Sequence, residues 1–372
     1  MSKQATTSYP KERINILFLE NISDKAVQKF KESGYVNVRK LNSALGEEEL
    51  IREIKDVHLL GIRSKTHITA KVLAAAPKLQ AIGCVCIGVN QVDLKAATKA
   101  GVVVFNAPYS NTRSVAELVI GASILLIRRI PDKNTAAHNG IWMKEARGSY
   151  ELRGKTLGII GYGNIGSQVS VLAEGLGMKV LFYDTETKLP LGNAMAARNM
   201  KELLSQSDII SLHVPETAQT KNMINKTTIK SFKKGSILLN YARGEVVDLK
   251  ALATAIQEGH LTGAAIDVYP WEPEKNGDHF ETPLQGVPNV LLTPHIGGST
   301  EEAQQNIGED VSIKLFQYLE RGITNGSHTV PAIGLPPVEN AHRILHIHHN
   351  VPGVLGAINT TLSKNNIKIG RA

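Results

Sequence analysis

One short stretch limits the fold more than any other. Residues 157–160 are an apolar, strand-like run, followed at once by Gly161-Tyr162-Gly163-Asn164-Ile165-Gly166 and then by a helical pattern. A glycine triplet in that setting is a phosphate-binding turn of a parallel α/β sheet. Gly161 permits the tight turn, Gly163 lets a pyrophosphate approach the backbone, and Gly166 lets helix and strand pack closely. The helix start offers unpaired N–H groups and a positive dipole end to the phosphates. About 20 residues on, the next strand pattern, KVLFYD, ends at Asp184. A carboxylate there accepts both ribose hydroxyls and repels a 2′-phosphate, and no Arg follows directly, so NAD is favoured over NADP.

Strand patterns alternate with helical ones along the rest of the chain. Residues 13–20, 57–62 and 79–87 read as strands and 23–33 as a helix, so roughly the first 110 residues are α/β as well. Residues 114–129 form a long apolar helix, too short and interrupted for a membrane span, placed as a buried link between domains. Further strands fall at 179–183, 209–213, 236–240, 263–267 and 290–292, and 301–320 reads as one long helix. A turn-rich linker ends in GLPP, and the last 30 residues carry a strand (ILHIH), a helix (352–364) and the start of another strand.

At 372 residues, two or three domains are expected. The net charge is +8, but the Lys and Arg residues are dispersed, with no basic run and no aromatic–basic interleaving. That argues against nucleic acid. Cys84 and Cys86 are the only cysteines, too few for a zinc site, and read as small buried hydrophobes in a reducing compartment. The polar start lacks an apolar signal core, and no apolar run approaches bilayer length. A cytoplasmic protein with no membrane partner and no metal is expected.

Three more segments each follow a predicted strand of the second half: NYARGEVVD with Arg243, AIDVYPWEPE with Asp267 and Glu272, and LTPHIGGS with His295. Ligands of open α/β sheets bind at the carboxyl ends of strands. Oxidising a hydroxy acid needs a base to take the hydroxyl proton as hydride leaves, and His suits that role near neutral pH. A carboxylate partner, Glu272, would orient the imidazole and favour its protonated form. Arg243 would hold a substrate carboxylate in bidentate geometry. A lone His or Arg in such turns is more often structural; the set of three points to catalysis. Asp267 is left between two roles, accepting a hydrogen bond from the nicotinamide amide or capping a helix.

These segments, together with GIRSKTHIT (61–69), IGCVCIGVNQVDL (82–94) and FNAPYSNTRSVAELVIG (105–121), resemble the D-isomer-specific 2-hydroxy acid dehydrogenases from about residue 13 to the end. The resemblance implies two Rossmann-like domains, each a doubly wound parallel sheet, with a cleft between them. A discontinuous substrate-binding domain (10–110 and 298–338) would flank an NAD-binding domain (111–297), with a partial ACT-like regulatory segment at 339–372. It implies Arg243, Glu272 and His295 as the catalytic set. The cofactor would meet the glycine turn, Asp184, His213, Val214, Pro215, Tyr241, Ala242, Arg243, Asp267, His295, Ile296, Gly297 and Gly298. Arg63 and Ser64 would face the substrate phosphate or carboxylate, Gly88 would offer backbone N–H groups to it, and Asn111 would lie at the hinge. Trp142 and Lys144 resemble the part of the family in which a neighbouring subunit completes the pocket, implying a homodimer or homotetramer.

The activity so implied is NAD-dependent oxidation of D-3-phosphoglycerate, a small anionic substrate, with the reverse reduction extending to 2-oxoglutarate. The alternatives are a dehydrogenase of another D-2-hydroxy acid and a non-enzymatic NAD-sensing protein. Three positions depart from the family pattern. Lys65 stands for a second Arg, Asn42 for a basic residue that Lys40 would have to replace, and Tyr241 for a small residue beside the cofactor. At the end, His348 and Asn350 match serine-binding positions of an ACT module and Lys368 replaces an Asn. Only about half of such a module is present, so loss of serine feedback is expected.

Overall fold

The structure is a computed structural model and describes residues 9–273, 275, 277–336, 344–349 and 351–367. The chain divides into two compact units, Met1–Asn106 with Glu309–Ala372, and Ala107–Gly308.

In the first unit, strands β1 (Asn15–Phe18), β2 (Asn37–Lys40), β3 (Leu59–Ile62), β4 (Ala81–Cys84) and β5 (Val103–Asn106) form one sheet in the order β2-β1-β3-β4-β5. All pairings are parallel. Helices α1 (Asp24–Glu32), α2 (Glu47–Glu53), α3 (Ala70–Ala74) and α4 (Leu94–Ala100) are the crossovers. A parallel sheet covered on both faces needs unbroken apolar strands, and β3, β4 and β5 are buried at every residue. The order reverses between β1 and β3, so the crevice of this sheet opens there.

The returning chain completes the unit. A Cβ at Gly83 of β4 would overlap Val311, so the helix that carries Val311 lies directly on that strand. Beyond it, the His328 N–H donates to the Val104 carbonyl at 2.9 Å and the Val104 N–H to Thr329 Oγ1 at 3.1 Å, covering the β5 edge. An uncovered edge would invite pairing with another chain.

The second unit has strands β6 (Thr156–Ile160), β7 (Lys179–Tyr183), β8 (Met195–Ala196), β9 (Ile209–Leu212), β10 (Ser236–Asn240), β11 (Leu261–Ile266) and β12 (Val290–Leu292) in the order β12-β11-β10-β9-β6-β7-β8. Again every pairing is parallel. Its helices are α5 (Thr112–Ile127), α6 (Ile130–His138), α7 (Asn164–Gly175), α8 (Met200–Gln206), α9 (Lys226–Ile229) and α10 (Leu249–Gln257). Helix α5 buries Val115, Ala116, Val119, Ala122 and Leu126 in one cluster with Val169 and Ala173 of α7 and with the inner strands. The expected linking helix is thus a core helix of this unit. The switch point of the sheet lies between β6 and β9, the strands that precede Gly161 and His213.

Helix α11 (Glu301–Arg321) runs unbroken through the point where the units change, between Gly308 and Glu309. The expected changeover at 297–298 lies before this helix, because the turn residues there are conspicuous and a change inside a helix leaves no local mark. Three other expectations are corrected. The strand expected at 79–87 stops at Cys84. Cys84 is buried, but Cys86 lies past the strand end and is only half-buried. Residues 344–348 form no strand: they are largely exposed, and no strand among the described residues pairs with them. Helix α12 (Val354–Lys364) does form but buries no residue, so the expected βαβ segment is not built among the described residues. No described helix is long and apolar enough to cross a membrane.

Candidate functional site

The strand ends of the second unit bring the site together. At Gly161 the backbone is left-handed (φ 93°), and a Cβ there would overlap the His213 carbonyl across the switch point. A Cβ on Gly166 would overlap the Gly161 carbonyl, so α7 rests directly on the turn. Gly163, by contrast, has open space where its Cβ would stand and is the N-cap of α7 with no side-chain cap. The N–H groups of Asn164 and Ile165 therefore begin a helix whose first turn has no intrahelical acceptor and no capping side chain. Asp184 binds the turn to the next strand: Oδ2 accepts the Tyr162 N–H at 2.8 Å and Oδ1 the Glu186 N–H at 3.0 Å. The open approach at Gly163, the uncapped helix start and the carboxylate at the strand end fit a dinucleotide.

His295 follows β12. Its Nδ1 lies 2.7 Å from Glu272 Oε2. A carboxylate can only accept, so Nδ1 carries the hydrogen and Nε2 is left to exchange a proton. The other Glu272 oxygen accepts the Tyr269 N–H at 3.0 Å. The hydrogen bond to Glu272 raises the His295 pKa above the ordinary imidazole value against the opposing effect of burial. Burial pushes the Glu272 carboxyl up, but the His295 and Tyr269 hydrogen bonds outweigh it and hold the carboxyl below its usual value. The Arg243 charge is felt at both groups, so the three expected side chains share one electrostatic neighbourhood. Arg243 is exposed, and its Nη1 donates to the Ala242 carbonyl at 2.6 Å.

The loop carrying His295 is held by Asp267, only 2% exposed. Its Oδ1 accepts Thr293 Oγ1 at 2.6 Å and the Ile296 N–H at 2.9 Å, Oδ2 accepts the Gly297 N–H at 2.8 Å, and its carbonyl accepts the His295 N–H at 2.8 Å. So Asp267 caps no helix; it fixes the main chain on both sides of the imidazole. Tyr241 is buried in the core cluster with Val115 and Ala116, its ring packed near Gly297. Its ring forms the floor beneath that loop. Among the other expected contacts, Ala242 is buried, Val214 and Gly298 are half-buried, and Pro215 and Ile296 are exposed. His213 hydrogen-bonds Ser211 Oγ through Nε2 at 2.9 Å, and burial pushes its pKa down to about 3, so this imidazole stays neutral. Asn111 begins α5 and touches Gly298, whose Cβ would overlap its amide.

Sequence reasoning missed the supports. Asn240 donates to the Arg243 carbonyl at 3.0 Å and accepts the Ala242 N–H at 3.1 Å, shaping the arginine turn. The Tyr269 hydroxyl shares its one hydrogen between the Ile266 and Thr293 carbonyls, 2.9 and 3.0 Å away, tying the β11 and β12 ends together. A Cβ on Gly244 would overlap the Tyr269 carbonyl. That glycine beside an arginine was the one available signal that two loops meet here.

In the first unit, Arg63, Ser64 and Gly88 stand past the ends of the adjacent strands β3 and β4. Ser64, Lys65 and Gly88 are exposed and Arg63 half-buried. Lys40 is paired with Asp24 at 2.7 Å and Asn42 is exposed. Trp142 is 85% exposed. His348 is exposed and stacks on His346; Asn350 and Lys368 lie outside the described residues.

Comparison with known proteins agrees with this geometry. Residues 120–297 match the profile of the D-isomer specific 2-hydroxyacid dehydrogenase, NAD binding domain. The chain is 52% identical to D-3-phosphoglycerate dehydrogenase of Haemophilus influenzae over 97% of this chain and 88% of that protein. It is 53% identical to the enzyme of the same name from Dictyostelium discoideum, over 97% and 89%. Among solved structures, D-lactate dehydrogenase of Aquifex aeolicus, complexed with NAD and lactic acid, superposes with a TM-score of 0.68 at 28% identity, covering 86% of this chain and all of that one. The chain belongs to the D-isomer specific 2-hydroxyacid dehydrogenase family, alongside D-3-phosphoglycerate dehydrogenases, and is an NAD-dependent oxidoreductase.

Proposed function

We propose that the chain oxidises D-3-phosphoglycerate to 3-phosphohydroxypyruvate, the first step of phosphorylated serine biosynthesis. The single observation that carries the chemistry is the His295–Glu272 pair, 2.7 Å apart, on the same sheet rim as the open glycine turn. The likeness to enzymes named for this substrate, over 97% of this chain, supports the choice of hydroxy acid.

NAD bound at the turn supplies the hydride acceptor. His295 Nε2 takes the proton of the substrate hydroxyl, and Glu272 stabilises the imidazolium that forms. In the reverse direction the same nitrogen gives the proton back. Arg243 grips the substrate carboxylate and polarises the carbonyl in reduction. Arg63, Ser64 and the N–H groups near Gly88 take the other anionic end, with Lys65 adding a point charge in place of a forked guanidinium. The enzyme works as a homodimer or homotetramer in the cytoplasm. Trp142, with exposed Ile141 and Met143 on either side, reaches a neighbouring subunit.

An NADH-oxidation assay with 3-phosphohydroxypyruvate, hydroxypyruvate, pyruvate and 2-oxoglutarate in parallel tests this reading. The phosphorylated substrate is expected to have the highest kcat/KM; preference for pyruvate would assign another D-2-hydroxy acid. His295→Ala is expected to lose turnover by roughly 100-fold or more while keeping NADH binding. Unchanged turnover would remove His295 from its role.

A further inference from the structure

At the switch point of the first unit's sheet, Glu20 follows β1 and Arg63 follows β3. Glu20 is a carboxylate only 8% exposed, and it accepts three hydrogen bonds from the main chain of the loop that follows β3. Its Oε1 accepts the N–H of Arg63 at 3.0 Å and of Thr66 at 2.9 Å; its Oε2 accepts the N–H of Lys65 at 3.0 Å. On the other side stands Gln91, 7% exposed, whose Nε2 donates to the Arg63 carbonyl at 2.8 Å. The Arg63 peptide is gripped at its N–H by one buried side chain and at its C=O by another. Glu20 takes up a left-handed backbone to do this (φ 58°), as does Asn21 (φ 52°). Non-glycine residues hold that conformation only where the surrounding structure requires it.

Electrostatics alone would forbid the arrangement. A negative charge beneath a loop that receives an anion weakens the anion's binding. Glu20 also takes up N–H groups that would otherwise serve the anion directly. Its benefit has to be geometric.

We propose that Glu20 and Gln91 are positioning residues that aim Arg63 and so set the preference for a phosphorylated over an unphosphorylated hydroxy acid. This rests on the reading that Arg63 meets the distal anionic group of the substrate.

Glu20→Gln separates shape from charge. A carboxamide keeps the volume and removes the repulsion, but its NH2 end cannot accept an N–H, so one loop amide loses its acceptor. The expected result is a KM for 3-phosphohydroxypyruvate raised roughly tenfold, as for a reactant group moved out of place. The kcat at saturation and the KM for hydroxypyruvate are expected to stay within about twofold. Gln91→Leu, which frees the Arg63 carbonyl and leaves Glu20 intact, is expected to shift the same ratio in the same direction. It also carries the test if Glu20→Gln does not fold.

Arg63→Ala is measured alongside. If it leaves the KM for the phosphorylated substrate unchanged, the reading of Arg63 fails and the proposal falls with it. If it raises that KM while Glu20→Gln and Gln91→Leu leave it unchanged or lower it, the role of the clamp is overturned and that of Arg63 stands. An equal loss on both substrates, tracking a lower melting temperature, likewise overturns the proposal.

Discussion

His295 holds a left-handed backbone (φ 54°) in a loop pinned on both sides by Asp267. That strain, of order 1–3 kcal/mol, is tolerated because the pinned loop fixes the ring toward Glu272. The pair has a predictable pH signature. Glu272 raises the His295 pKa, so the protonated imidazole needed for reduction persists to higher pH than in a free histidine and is lost as pH rises through the raised value. Glu272→Gln removes the charge that favours imidazolium. The basic limb of the kcat profile for reduction is then expected to move to lower pH, and the acidic limb for oxidation to move down with it. Profiles that coincide with the parent would show that Glu272 does not tune the base. At this scale the sequence announced the residues proposed for chemistry by their type and by the strand before them. It was silent on residues that act on main chain far along the chain, such as Glu20, whose loop partners lie more than 40 positions away.

Helix α7 and strand β6 meet through bare backbone. Gly166→Ala would drive a methyl into the Gly161 carbonyl, so the helix has to lift from the turn that it supports. A loss of roughly 1–3 kcal/mol is expected in urea denaturation, together with weaker NADH binding by fluorescence titration. A variant with parent stability and parent affinity would contradict the close contact. Elements as well as residues differed in legibility. The buried strands β3, β4, β6, β9 and β10 are mostly apolar, and the sequence showed them. Strands β2, β5 and β8 escaped: NVRK is an edge with no fully buried residue and β8 has two residues, both exposed, whereas β5 is buried at every residue and was still not read as a strand. An apolar period marks burial, and an edge strand carries little of it. The reverse error fell at 344–348, where an apolar alternation has no partner strand among the described residues and stays irregular.

The same lack of burial gives a prediction for the molecule as a whole. Helix α12 buries nothing among the described residues, so a variant ending at Pro336 is expected to melt within about 2 °C of the parent, since exposed segments contribute little. Its kcat for 3-phosphohydroxypyruvate is expected to be unchanged. A drop of ten degrees or a loss of turnover would show that the last segment is bound into the fold. A different dependence holds for the stretch just before it. The Ala107–Gly308 unit is one continuous run of chain. The other unit lacks the cover of its β4 face and β5 edge until residues 311–329 arrive. During synthesis, therefore, the nucleotide-binding half has all its parts while the half bearing Arg63 still waits for its closing piece. The apolar face of β4 and the edge of β5 are therefore the last surfaces of the two sheets to receive their cover as the chain is made.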